Sequence, residues 1–455
     1  MKKTLATAIA ALLASGGAYA EQNLPDLGKT GVVTAGSAFN PAISVILDAS
    51  YYHDNSRSKG ERGGNDRTYT YAIEHIRGFT DPHVHDHDHD HGELEPGFNL
   101  HHAEVLFSAS VDNYFDAVLA LGVSEHGIEI EEAYGVTRNL PAGLQIKAGK
   151  FFSGIGYHNS QHSHDWSFAD MALPYQLMFG DHGLNEKGIQ LTWTPATENY
   201  MVFGVEALQG ENERIANQSV PSAAGSDPGS RYNYTVGGQS KANGPRMYTA
   251  FAKFAPDLGH NHALQIGLFG GHSRMNKDPH GSRVYEGKPS FIGTDWVYKY
   301  DGGGHMGHRS LTLQAEYIRR EFDRTVVATN ANNAGLLGDT RKDTQDAMYI
   351  QGVYGIAPRW QAGLRYELAG MTNRRVDTAA VTGNTTTRDW DSSNRITANV
   401  TWHPTEFSKL RLQAARSSFL IPNRTGATPA DVKESYNQIY LQYQLSLGVH
   451  GAHRF

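Results

Sequence analysis

The chain of 455 residues contains no cysteine. Disulfides and thiolate metal centres are therefore excluded, and stability has to come from strand pairing, packing, or metal held by nitrogen and oxygen. Long apolar runs are missing as well. Beyond the first twenty residues no stretch approaches the roughly 20 apolar residues that a membrane-spanning helix needs. If the mature chain crosses a membrane, it does so as a closed barrel of strands. Enzymatic signatures are also lacking: there is no Gly-rich phosphate loop, no nucleophile elbow and no paired His-Glu zinc-protease motif. No catalytic role is expected, and no cofactor is required. Basic residues number 40 against 47 acidic, a formal charge of −7, which disfavours nucleic acid as a partner.

What is present begins with an export signal. Lys2 and Lys3 precede an apolar stretch from Leu5 to Leu13, and Ala18-Tyr19-Ala20 supplies a small-x-small cleavage pattern, so residues 1–20 read as a signal peptide. Residues 21–40 are expected to form a short periplasmic segment and 41–455 the barrel. Along the mature chain apolar and polar residues alternate with a period of two. Leu364, Tyr366 and Leu368 alternate with Arg365 and Glu367; Ile439, Leu441, Tyr443, Leu445 and Leu447 alternate with Tyr440, Gln442, Gln444 and Ser446. The apolar sets would face lipid and the polar sets a wet lumen.

Such segments fall near 41–53, 98–111, 113–124, 127–138, 143–152, 187–195, 199–208, 246–256, 261–272, 290–300, 308–322, 345–356, 358–371, 393–403, 407–419 and 436–449. The pattern predicts an all-β, transmembrane antiparallel barrel of about sixteen strands. Both chain ends lie on the side of the short turns, with long extracellular loops opposite, the connection at 125–126 being the one exception. A soluble β-sandwich or lectin-like domain shares the alternation, but it explains neither the long-short sequence of loops nor the terminal Phe455.

Two constellations carry chemistry. His83, His85, His87, His89 and His91 are interleaved with Asp86, Asp88 and Asp90 in the first long loop. Imidazole with nearby carboxylate suits zinc, copper or nickel, although such a tract is a compositional signal without fixed geometry. The second lies in the loop at 153–186, where His158, His162, His164 and Asp165 are metal-ligand candidates and Asp170 and His182 pore-lining candidates. An inward fold of this loop would carry them into a constriction; hydrogen bonds that pin the loop to the wall, with Trp166, Phe168, Tyr175 and Phe179 packed beneath, are the alternative. Lys253, Glu316, Arg365, Glu367, Arg395, Lys409 and Arg411 fall on the lumenal set as pore-lining candidates. They would set up a field across the pore or pair with one another structurally.

On its closing strand and Phe455 the chain resembles Gram-negative outer-membrane barrels, and over its mature length a porin, a family whose third outer loop folds inward. Lys150-Phe151-Phe152-Ser153-Gly154-Ile155-Gly156-Tyr157, the following His158 to Trp166, and Asn40-Pro41-Ala42-Ile43-Ser44 resemble the histidine-rich zinc-regulated outer-membrane receptor group, distantly related to phosphate-selective porins. That resemblance implies metal acquisition. Gly31-Val32-Val33-Thr34-Ala35 faintly resembles a TonB-contacting box, but such receptors need a plug domain and about 22 strands, for which there is no room. The resulting expectation is an outer-membrane porin for uptake of a divalent transition metal, zinc first. A general or phosphate/anion-selective porin and a TonB-dependent-receptor-like or non-transporting metal-binding surface barrel are the alternatives. The implied partners are outer-membrane lipid and lipopolysaccharide, metal ions and, since porins often trimerise, further copies of the chain.

Overall fold

The computed structural model describes residues 41–56, 68–79, 96–124, 127–218, 234, 236–422 and 431–448. The signal segment, the tract at 83–91 and Phe455 lie outside them. Sixteen strands form the wall: β1 (Ala42–Asp54), β2 (Gly97–Ser110), β3 (Phe115–Ser124), β4 (Gly127–Thr137), β5 (Leu144–Phe152), β6 (Asn185–Trp193), β7 (Tyr200–Leu208), β8 (Met247–Ala255), β9 (His262–Ser273), β10 (Ser290–Tyr300), β11 (Leu311–Thr329), β12 (Thr340–Ala357), β13 (Trp360–Ala369), β14 (Ser393–Thr405), β15 (Ser408–Pro422) and β16 (Asp431–Gly448). Each pairs antiparallel with its neighbour, and β1 pairs with β16 from Ser44 opposite Gly448 to Asp54 opposite Gln438, which closes the barrel.

Closure leaves no free edge, and the two-residue period divides the wall into two faces. Leu268, Ile292, Ile350, Leu364, Leu412 and Leu441 are exposed on the outside. Their neighbours Gln265, Gln351, Arg365, Arg411 and Gln442 are buried within. Aromatic residues gather at the short-turn end, where Trp360 stacks on Trp402 and Trp193 on Phe203 at ring separations of 5.8 and 5.6 Å. Tyr51 and Phe98 meet at the other end. These are the interfacial girdles of a membrane barrel. Among the described residues no helix is long and apolar enough to cross a membrane.

Two expectations need correction. The loop expected at 323–344 is mostly strand: β11 and β12 stay paired out to Thr325 opposite Thr340, because alternation persists through Arg324, Arg341 and Asp343. Hairpins at 276–280/283–287 and 374–378/385–389 extend the staves further, against β11 and β12 respectively. The second correction concerns the lumen, which is not wet throughout. Its outer half holds an apolar cluster of Ile73, Ile76 and Phe79 from the first loop, Leu173, Leu177, Met178 and Phe179 from the third, and Ile215 from the fourth. These pack on Phe251, Phe269, Phe291, Tyr349 and Phe419 of the wall. Strands β8 to β10 are thus apolar on both faces near their outer ends, which a two-face reading of alternation cannot register.

Two short helices serve this plug. Helix α1 (Tyr69–Glu74) is capped by Thr68, whose side chain accepts from the Tyr71 amide. Helix α2 (Leu173–Phe179) begins with Pro174 in its first turn and stops at Gly180, where φ is +85°.

Candidate functional site

The loop joining β5 to β6 enters the barrel, and its glycines let it do so. A Cβ at Gly154 would strike the Phe251 ring; one at Gly156, where φ is +60°, would strike Tyr175 and Glu316. Glu316 on β11 anchors the descending limb. Its carboxylate accepts from the amides of Tyr157 (3.1 Å) and His158 (2.8 Å) and from the hydroxyls of Tyr175 and Tyr349, both at 2.5 Å. Lys253 donates to the Gly156 carbonyl at 2.8 Å.

Next along the wall, across β12, stands a row of cations on β13 to β15. Lys409 donates to the His164 carbonyl (2.7 Å), Arg411 to that of Trp166 (2.9 Å), Arg365 to that of Asp170 (3.0 Å) and Arg395 to that of Met171 (2.9 Å). Arg365 and Arg395 also pair with the Asp170 carboxylate at 2.7 and 2.8 Å. Glu367 binds both guanidiniums and accepts the Leu173 amide at 2.7 Å. Burial would raise the pKa of Asp170, but the two guanidiniums outweigh it and hold that carboxyl below its ordinary value. The pore-lining candidates on the strands therefore point inward, and the loop, which carries Asp170, covers them.

A third wall is acidic. Glu104 projects from β2. On β4 a bulge opposes Ala120 to Glu132 and Leu121 to Ile130, so Glu131 is the extra residue. The bulge reverses the alternation, and Glu131 and Glu132 both reach the lumen. Glu131 lies over Gly122, where a Cβ would crowd its carboxylate.

His162 and His164 of the loop meet this wall. Glu104 Oε2 is 3.0 Å from His162 Nδ1 and 3.1 Å from His164 Nδ1; Glu132 Oε2 is 2.9 Å from His162 Nε2. Glu131 comes within 3.6 Å of His162 Nδ1, and Asp165 within 3.5 Å of His164 Nε2. Burial disfavours a charged His162, but the Glu104 charge and the hydrogen bonds to Glu104, Glu131 and Glu132 prevail and hold its pKa well above the usual imidazole range. One atom each from Glu104, His162 and His164 lies within 4.8 Å of the others, close enough to share a cation.

His158 stays apart. Its Nε2 accepts the Ala172 amide at 3.3 Å, and its ring stacks on Trp166 with centroids 4.7 Å apart. Burial, helped by Arg365, pushes its pKa down to about 3. It is neutral, with its lone pair committed. Asp165 borders a cavity of about 140 Å³ with Tyr157, Ser160, Lys299 and Gln314. His182 is exposed on the returning limb. Sequence reasoning passed over Glu104, Glu131 and Glu132. The doublet Glu131-Glu132 did carry a signal, since two adjacent carboxylates break the strand's period.

No family model matches the chain. A protein of Aquifex aeolicus (strain VF5), itself described only as uncharacterized, is 32% identical over 424 residues, spanning 92% of this chain and 80% of its own length. The chain belongs to that family. Among solved structures, the anion-selective porin of Comamonas acidovorans aligns at 10% identity and a TM-score of 0.49, over 90% of this chain and 99% of its own. The outer-membrane channel DcaP of Acinetobacter baumannii aligns at 12% and 0.46, over 90% and 96%. A loop-deletion form of OmpT, an outer membrane protein of Vibrio cholerae, gives 9% and 0.47, over 90% and 99%. Likeness at this level carries no argument about what passes through. Closure, the apolar exterior and the aromatic girdles themselves place this barrel in the Gram-negative outer membrane.

Proposed function

We propose that this barrel is a porin-type channel whose substrate is a divalent transition metal, zinc foremost, held in transit by Glu104, Glu132, His162 and His164. One observation carries the reading: two imidazoles and at least two carboxylates converge on the loop that narrows the lumen. Nitrogen and oxygen donors of this kind suit zinc, copper or nickel. The interleaved histidines and aspartates of the tract at 83–91 support it as a capture segment, as does the resemblance to zinc-regulated barrels. No catalytic step is required.

Metal has to displace the proton that bridges His162 to its carboxylates, so zinc affinity should fall as pH drops, and should do so at a higher pH than for a free imidazole. Planar-bilayer recording with zinc on the outer side tests the reading. The parent protein should show zinc block that a His162→Ala/His164→Ala variant loses, whereas deletion of 83–91 should leave single-channel behaviour nearly unchanged. Identical block in parent and variant would remove the metal from the constriction. A second reading, a general porin whose histidines only latch the loop, is favoured by one observation: both ring nitrogens of His162 already face carboxylates. It predicts no zinc block in the parent.

A further inference from the structure

At the outer rim, on the side facing lipid, lies a second cluster. His272 sits opposite Tyr248 of β8 and Ser290 of β10. The strand period puts it on the same face as exposed Leu268; Arg274, just past the end of β9, is exposed and borders the same cleft. Across the pair, Lys288 lies two residues beyond Ser290 on the face of exposed Ile292. Lys241 comes in from the preceding loop. Together with Asn243, Gly244 and Met275 these side chains border a cleft of about 450 Å³. Lys241, His272, Arg274 and Lys288 are exposed, and none has an ion pair among the described residues. The neighbouring carboxylate, Glu286, takes the Ser240 amide hydrogen at 2.8 Å. Arg246 steadies the rim from beneath, donating to the Gly210 and Ala242 carbonyls.

Cations gathered on an acidic protein with no ion pair among the described residues call for an anion, and these stand directly above a strip of lipid-facing apolar side chains. We propose that the cleft binds the phosphates of a phosphorylated glycolipid of the outer leaflet, with its acyl chains running down over Leu268 and Ile292. Lys and Arg supply charge-assisted donors to phosphate oxygens, and the apolar strip gives the chains a surface that water does not contest. The inference rests on the barrel's orientation, long loops outward, and is independent of any metal in the lumen.

The test uses the full chain in detergent, titrated with diphosphoryl lipid A, with the same lipid stripped of phosphate, and with inorganic phosphate, binding being read by native mass spectrometry. The parent protein should hold the diphosphoryl lipid at least tenfold more tightly than the stripped one, a comparison that needs no variant. A Lys241→Gln/Arg274→Gln/Lys288→Gln variant should lose that preference. A control Arg374→Gln/Arg388→Gln/Lys433→Gln, at the rim above β12 to β16, should keep it. Equal affinity of the parent for both lipids, retention by the first variant, or an equal loss in the control would overturn the proposal. Displacement of the lipid by equimolar inorganic phosphate would overturn it too, since the site would then recognise a small anion only.

Discussion

The inward loop is held by two walls of opposite charge, and they hold it differently. On the basic side Arg365, Arg395 and Arg411 grip backbone carbonyls and one carboxylate. Guanidinium contacts of this kind persist across the accessible pH range and have no affinity for metal. On the acidic side the carboxylates of Glu104, Glu131 and Glu132 meet the loop through His162 and His164. Those contacts depend on a proton and can be exchanged for a cation. One edge of the loop is therefore fixed and the other conditional, which is the asymmetry a gate requires.

Breaking the fixed edge should cost most. Arg395→Met leaves Glu367 and Asp170 without one of their guanidiniums, and loss of one partner of a buried ion pair costs about 3–5 kcal/mol. Urea unfolding in detergent, followed by tryptophan fluorescence, should show a loss of that size, and a loss below about 1 kcal/mol would mean the network is not buried in solution. Glu316→Ala comes next: it strips the Tyr157 and His158 amides of their acceptor, at about 1–3 kcal/mol. The freed loop should appear as raised and noisier single-channel conductance.

His162→Asn should cost less, about 1 kcal/mol, with an effect that depends on pH. Because the His162 pKa is raised on folding, its contribution is fully present below the ordinary imidazole value of about 6.5 and is lost as pH rises through the raised value. The stability gap between parent and variant should accordingly close towards alkaline pH. A gap that widened instead would show that the docked ring is neutral. Smallest of all should be His158→Phe, since that ring is already uncharged and serves by stacking. Zinc block should stay within about twofold of the parent, and a larger change would bring His158 into the metal site.

The histidines of the loop were legible as candidates because their residue types announce the chemistry. Their partners were hidden for two separate reasons. Glu104 is one polar residue among many on an alternating strand, and nothing local marks it as the one that meets a loop 58 residues later. Glu132 reaches the lumen only because the bulge shifts the register there, and a strict period-two reading sends one of the pair, Glu131 or Glu132, into lipid. The opposite error applies to Arg365, Glu367 and Arg395: their inward direction follows from the period, but their burial follows from what the loop places over them.

Strand count, face assignment and closure are properties of neighbours. Each strand needs only its own alternation and a turn to its partner, so the amino-acid sequence alone determines the barrel and the side on which its long loops stand. The contents of the lumen are different in kind. Phe251, Phe291 and Phe419 look like stray apolar residues until the third loop brings Leu173, Met178 and Phe179, and the first loop Tyr69, into the same cluster, and the proposed cation site requires residues 104, 132, 162 and 164 to converge. Contacts over such separations are selected by packing inside a barrel that has already closed, and no local periodicity records them.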